Sequence, residues 1–275
     1  MKGLGRYAVA MSATYLDDIM TFHRARAAAD ERVWRERTVV PHGRASLRES
    51  ILQHRSAGVS VIAEVKRRSP SKGWLAKDLD ASMIARAYVR GGATGMSVLT
   101  DTPHFGGSLD DLRDVAACVD LPLLRKDFTV SPNDVLDAAE AGASAVLLIV
   151  AALSDEELGE LLAVASNCGL DALVEVHDED EAQRALDIGA TFIGVNQRNL
   201  RTFAVDTERA ERVLSSLPPR IVAVAESGFS SSDAVRRAAS CGFDAVLVGE
   251  NFVTADDPAA EVATFVGHPI GERHA

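Results

Sequence analysis

Residues 64–73 read Glu-Val-Lys-Arg-Arg-Ser-Pro-Ser-Lys-Gly and follow directly on the apolar run 59–63. Unpaired charges are seldom buried, so a core strand gains nothing from such an ending. Either the strand simply runs out into solvent, or its end holds an anion. The same pattern recurs further along. Arg125-Lys126-Asp127, Glu175 with His177, Asn196 with Arg198, Glu226-Ser227-Gly228 and Gly249-Glu250 each close a short apolar run. Any one of these alone reads as a solvated strand end. Glu64, Lys66, Lys126, Glu175, Asn196 and Glu226 together do not. Opposite charges brought to a common centre are what acid–base chemistry with mutually shifted pKa values requires.

Those residues need a frame that gathers strand ends. Eight β-branched runs, at 59–66, 95–100, 122–128, 145–150, 172–177, 191–196, 220–227 and 245–250, alternate with helix-like stretches. Near-continuous apolar strands alternating with helices imply parallel pairing through right-handed crossovers. Ser154 with Glu157 fits a capping box, and Ser131-Pro132 fits a cap followed by proline at the first helical position. Gly91-Gly92, Gly142-Ala143, Gly189-Ala190 and Cys241-Gly242-Phe243 mark helix ends. Eight βα units in about 215 residues predict a (β/α)8 TIM barrel, and no GxGxxG supports a dinucleotide-binding sheet.

In that fold the carboxyl ends of the strands face the active-site mouth, which turns the charged endings into a single rim. Glu64 and Lys66, two apart, point to the same side. Ser227, Gly228, Gly249 and Glu250 close strands seven and eight, where loops of this fold bind phosphate through main-chain N–H groups. His177 reads as a hydrogen-bonded structural histidine, and 178–181 as the acidic first turn of a helix. Trp34 and Phe22 read as packing residues.

Residues 1–58 form a helical extension ahead of a single catalytic barrel at 59–275. Tyr15, Ile19, Phe22, Ala25 and Ala29 fall at helical spacing, and Ser46 with Glu49 suggests a second capping box. Such an extension either plugs the barrel bottom or crosses its mouth, and both stay open. Met11 offers a second start beside Met1.

Composition narrows the function classes. The 275 residues are 47% hydrophobic and 25% charged, ordinary for a globular protein. No apolar run nears the roughly 18 residues of a membrane span, and no signal peptide is evident, so a cytoplasmic protein is expected. Cys118, Cys168 and Cys241 are scattered and suggest buried free thiols. The seven histidines form no zinc motif. A net charge of −11 argues against nucleic acid and requires local cations to capture an anionic substrate. The cations of 64–73 are the candidates.

Ile62-Ala63-Glu64-Val65-Lys66 with Ser69-Pro70-Ser71-Lys72-Gly73 resembles the opening signature of indole-3-glycerol phosphate synthases. The resemblance runs on through SVLTD…FGGSLDDL, PLLRKDF, AVLLIVAAL, LVEVH, IGVNQRNL, VAESG and VLVGE, in order and over essentially the whole chain. It implies ring closure of 1-(2-carboxyphenylamino)-1-deoxyribulose 5-phosphate to indole-3-glycerol phosphate with loss of carbon dioxide and water. No metal or organic cofactor is implied, and the only ligand is a small phosphorylated molecule. By resemblance, Lys126 is the general acid at the ketone oxygen, and Glu175 is the acid/base of the later dehydration. Lys66 holds the anionic substrate and protonates the departing hydroxide. Glu64 and Glu226 orient the lysines, and Asn196 binds substrate. Ser69 and Arg198 are candidates for the carboxylate, Phe105 for stacking on the anthranilate ring, and Ser227, Gly228, Gly249 and Glu250 for the phosphate. Protonating a ketone near neutral pH favours a lysine whose pKa is lowered.

The chain departs from the family pattern at Trp74, at 133–144, at Gln197 and at Asn251-Phe252. None of these is a presumed catalytic group. They leave room for a paralogue acting on a ring-substituted substrate. Another phosphate-binding barrel, phosphoribosylanthranilate isomerase, would pair a cysteine base with an aspartate acid, and its short motifs are absent. The chain is too short for a fused second barrel. A monomer is expected, with the other tryptophan-pathway enzymes on separate chains.

Overall fold

The computed structural model describes residues 15–40, 42–198 and 205–273, so Met11 and the Asn199-Leu200 end of the VNQRNL motif lie outside the described residues. Its centre is a closed ring of eight parallel strands: β1 (Ser60–Val65), β2 (Gly95–Leu99), β3 (Leu123–Lys126), β4 (Ala145–Ile149), β5 (Asp171–Val176), β6 (Phe192–Asn196), β7 (Val222–Glu226) and β8 (Ala245–Val248). Each strand pairs with its sequence neighbours and β8 closes on β1, with Ile62 opposite Leu247. The chain is a TIM barrel. Most strands end one or two residues before the runs read from the sequence do, because the residues just past the inward-facing rim positions leave the ladder to enter loops.

The helices are α1 (Tyr15–Ala28), α2 (Leu47–His54), α3 (Ala81–Gly91), α4 (Thr102–Phe105), α5 (Leu109–Cys118), α6 (Pro132–Glu140), α7 (Asp155–Asn167), α8 (Glu179–Asp187), α9 (Thr207–Ser216), α10 (Ser232–Cys241), α11 (Glu250–Val253) and α12 (Pro258–Ala263). Their starts follow the local chemistry. Ser131 and Ser154 make full capping boxes with Asp134 and Glu157. Ser46 makes only half of one: it accepts from the Glu49 N–H, but the Glu49 carboxylate pairs with Arg48 instead of reaching back. Gly92 and Gly242 cap α3 and α10 in the left-handed region.

Side-chain alternation along the strands builds two cores. Val61, Ala63, Val98, Val146 and Val174 face the helices, while Ile62, Leu124, Leu147, Leu173, Val224 and Leu247 fill the barrel. The N-terminal segment divides between the two ends of the barrel. Leu47 and Ile51 of α2, both fully buried, join the interior cluster and plug its bottom. Tyr15, Leu16 and Ile19 of α1 line the cavity at the opposite end, so the extension does both things the sequence allowed. Of the cysteines, Cys168 is buried, whereas Cys118 and Cys241 are half-buried. All three are free thiols.

Candidate active site

Because alternate residues of each strand face inward, the last inward position of a strand carries its side chain into the barrel mouth. Glu64, Lys126, Glu175, Asn196 and Glu226 occupy those positions, and Glu64, Glu175, Asn196 and Glu226 are all buried. They open into a cavity of about 770 Å³, which Lys66, Ser69, Phe105, Arg198, Ser227, Gly228, Gly249 and Glu250 also line. Every candidate residue named from the sequence therefore borders one space.

Lys126 Nζ is the hub. It lies 3.3 Å from Glu175 Oε2 and 3.3 Å from Glu226 Oε2. Asn196 Nδ2 donates to Glu175 Oε1 at 3.2 Å. On the neighbouring side Lys66 Nζ lies 2.7 Å from Glu64 Oε1, and Ser97 Oγ donates to Glu64 Oε2 at 3.4 Å. Charges so closely spaced and so buried shift one another. Burial alone would lower the Lys126 ammonium, but Glu226, Glu175 and Glu64 outweigh it and hold its pKa above the ordinary lysine value. This overturns the expectation of a lysine with lowered pKa: its near neighbours are carboxylates rather than cations. Burial tends to raise Glu175, and Lys126, His177 and the Asn196 amide more than offset it, so Glu175 stays ionised below the ordinary range. Glu226 goes the other way. Burial first, then Glu175 and Glu64, push it up to about 8 against the pull of Lys126. Its Oε1 has no hydrogen-bond partner among the described residues, consistent with a carboxyl that keeps its proton. The site thus sets an ammonium beside one carboxyl held below its ordinary range and another pushed above it.

Two glycines make room for it. A Cβ on Gly194 would overlap Glu226 Oε1, and one on Gly249 would press against Glu64 Oε1 and Lys66 Nζ. Sequence reasoning missed Gly194, since a glycine within a strand signals close approach without saying to what.

The basic segment distributes its charge differently from the expectation. Arg67 turns outward and clasps Asp111 through two bonds of 2.6 and 2.7 Å, while Arg68 stands 5.8 Å over the Trp74 ring. Only Lys66 and Lys72 of the four cations line the cavity, and Lys72 pairs with Glu250. The reason is the short hairpin of Arg68–Ser69 on Gly73–Trp74, whose alternation sends neighbouring side chains to opposite sides. Likewise Arg125 turns toward α6 and pairs at 2.7 Å with Asp127 at the cavity edge, which leaves Lys126 as the cation of this segment pointing in.

At the far wall, Ser227 (φ 70) and Gly228 (φ 83) both take left-handed backbone. For a serine that conformation is strained. Gly249 caps α11 without a side-chain bond, its carbonyl instead accepting from the Phe252 N–H at 3.1 Å. The Glu250 side chain is an anion, which makes its main chain the useful part for an anionic ligand. Phe105 lies 6.2 Å from the Phe128 ring, and the pair forms an aromatic wall.

The family model described as "Indole-3-glycerol phosphate synthase" matches residues 18–265. The chain belongs to the indole-3-glycerol phosphate synthase family. It is 42% identical to the indole-3-glycerol phosphate synthase of Koribacter versatilis over 92% of this chain and 97% of that one. It is 52% identical to the enzyme of that name from Nocardioides sp. over 80% and 85%. Among solved structures, 3-hexulose-6-phosphate synthase from Salmonella typhimurium aligns with a TM-score of 0.62 at 15% identity, covering 75% of this chain and 96% of that one, a likeness of fold alone. Within the family frame, the α1 residues Tyr15, Leu16 and Ile19 are additions to the site that the sequence reading did not assign, since helical spacing does not say which end of a barrel a helix covers. His23 ties that helix down: its Nε2 lies 2.7 Å from Asp101 Oδ2, which also meets His104 Nδ1 at 2.8 Å.

Proposed function

We propose a division of labour for the indole-3-glycerol phosphate synthase reaction, a carboxy-lyase activity that family membership assigns to this chain. The observation that carries it is Lys126, an ammonium held between Glu175 and Glu226 at the floor of the mouth. As the anthranilate ring carbon attacks the ketone, the ketone oxygen becomes an alkoxide. An alkoxide is more basic than even a stabilised ammonium, so Lys126 transfers its proton as that charge develops. Positive charge builds on the aniline system at the same time, and the ionised Glu175 and Glu64 offset it. Loss of carbon dioxide restores the ring. Hydroxide then leaves as water with a proton from Lys66, and Glu175 takes the proton that the intermediate gives up.

The substrate carries a carboxylate and a phosphate. Ser69, Lys66 and Arg198 surround the place for the carboxylate, and Phe105 offers its ring to the anthranilate. Asn196 reaches the substrate from the Glu175 side, and Glu226 spaces Lys126. The main chain of Ser227, Gly228, Gly249 and Glu250 takes the phosphate. Lys66 stands within reach of that wall, as its closeness to Gly249 supports. In this reading residues 1–58 serve the barrel of 59–275 as one unit, and a single chain supplies the whole site. The protein works in the cytoplasm beside tryptophan-pathway enzymes on other chains. No helix among the described residues is long and apolar enough to cross a membrane.

The test is turnover of the carboxyphenylamino-deoxyribulose phosphate, followed by indole fluorescence, in two lysine variants. Lys126→Ala is expected to lower kcat by about 10²–10⁴-fold with substrate affinity within roughly tenfold, because a general acid acts in the transition state. Lys66→Ala is expected to weaken binding as well. If Lys126→Ala loses affinity only, the acid is Lys66 instead.

A further inference from the structure

His177 stands two residues after Glu175, where β5 gives way to α8, and so points to the same side of the barrel wall. It is 8% exposed and does not itself line the cavity, but stands behind Glu175, which does. Its Nδ1 lies 3.0 Å from Glu181 Oε2, and the same oxygen accepts its main-chain N–H at 2.8 Å. Glu181 is held in turn, its own N–H donating to the Asp178 cap of α8 at 2.9 Å. A carboxylate oxygen that accepts both groups fixes a proton on Nδ1 and the plane of the ring. That leaves Nε2, which lies at an ion-pair distance of 3.5 Å from Glu175 Oε1 and makes no hydrogen bond among the described residues. A bare imidazole lone pair facing an ionised carboxylate would be repulsive and unsatisfied in a buried place. One proton between them removes both penalties.

We propose that His177 is a positioning residue for Glu175, sharing one proton between its Nε2 and Glu175 Oε1 while Glu181 keeps the Nδ1 proton in place. The inference rests on the acid/base role given above to Glu175. In the resting site the proton is on Nε2, giving an imidazolium flanked by two carboxylates and Glu175 free to act as a base. Glu175 then takes the proton that the intermediate gives up, while the Nε2–H stays on the ring. The charges facing this pair come from four elements: Glu181 from α8, Lys126 from β3, Glu226 from β7, and the pair itself at the end of β5. Burial would lower His177, but Glu181, Glu175 and Glu226 raise it above the ordinary value, in keeping with a protonated ring.

His177→Gln is the test, since its amide can still donate toward Glu175 but can neither gain nor lose a proton. His177→Asn, which keeps a donor only on the Glu181 side, is the second variant should the first fold poorly. The expected result is a folded protein with KM within about threefold of wild type and kcat lowered roughly 10–10²-fold. The acidic limb of the kcat–pH profile should also move to higher pH, because Glu175 has lost a neighbouring cation. A limb that does not move, with or without a loss of kcat, overturns the proposal and leaves His177 a packing residue. Glu175→Gln separates the two readings. Near-normal turnover in that variant removes the role of Glu175 itself, whereas an inactive Glu175→Gln beside a His177→Gln with wild-type kcat removes only the shared proton.

Discussion

Glu226 shows how one residue's surroundings become a property of the protein. Its carboxyl is buried beside two other carboxylates, and its pKa rises to about 8 despite the nearby Lys126. A group whose pKa is raised on folding binds its proton more tightly in the native state. It therefore contributes stability that is fully present below the ordinary carboxylate range and is lost as the pH climbs through about 8. Glu175, whose pKa is lowered, acts in the opposite sense and costs stability only as the pH falls below the carboxylate range. Urea unfolding of the wild type should thus show a decline from mildly acidic pH to about pH 8 that Glu226→Gln lacks. Parallel curves for the two proteins would mean that Glu226 is ionised throughout.

At the scale of elements, the N-terminal segment serves two ends of the barrel with two helices. The α2 helix inserts Leu47 and Ile51 among Ile62, Phe192, Val222 and Ala245. Leu47 packs so tightly against Gly95 that a Cβ there would collide with it. Leu47→Ala should leave a cavity and cost about 2–5 kcal/mol in chemical denaturation, with kcat kept wherever the variant is folded. A variant as stable as wild type would show that the barrel floor does not need this plug. The α1 helix buries Ile19 and Met20 and adds polar contacts: His23 to Asp101, Arg26 to the buried Asp134 at 2.7 Å, and Arg24 to Glu157 at 2.7 Å. Polar anchoring suits a helix that borders an open cavity, where apolar packing is available on one side only.

Over the whole molecule, a chain of net charge −11 binds an anionic substrate because its fold concentrates particular groups at one rim. Most of the cations near that rim are already committed to carboxylates. In the proposed reading, phosphate recognition falls to the main chain of the Ser227-Gly228 turn and the start of α11. Inorganic phosphate should raise the melting temperature along a curve that saturates in the millimolar range, worth about 2.7 kcal/mol at a hundredfold excess over Kd. Excluded salts stabilise without saturating. A rise that stays linear with concentration would remove the phosphate assignment.

Strand period, cap residues and helix-ending glycines are local signals. Eight parallel strands, the barrel and the inward side of each strand follow from them, and so do Glu64, Lys126, Glu175, Asn196 and Glu226 as rim residues. What the sequence could not carry depends on contacts between distant positions. Arg67 looks like a ligand-binding cation until Asp111, 44 residues on, claims it. Lys126 looks like a lysine with lowered pKa until β5 and β7 set two carboxylates beside it. Helical spacing could not tell that α1 covers the mouth and α2 the floor, because an apolar stripe names no partner. His177 reads from the sequence as a hydrogen-bonded structural histidine and is one, bonded to Glu181, but only the turn from β5 into α8 sets its other ring nitrogen toward Glu175. Local residue preferences determined the elements and their faces. Partners, charge states and the division of the extension were decided by which faces the closed barrel brought together.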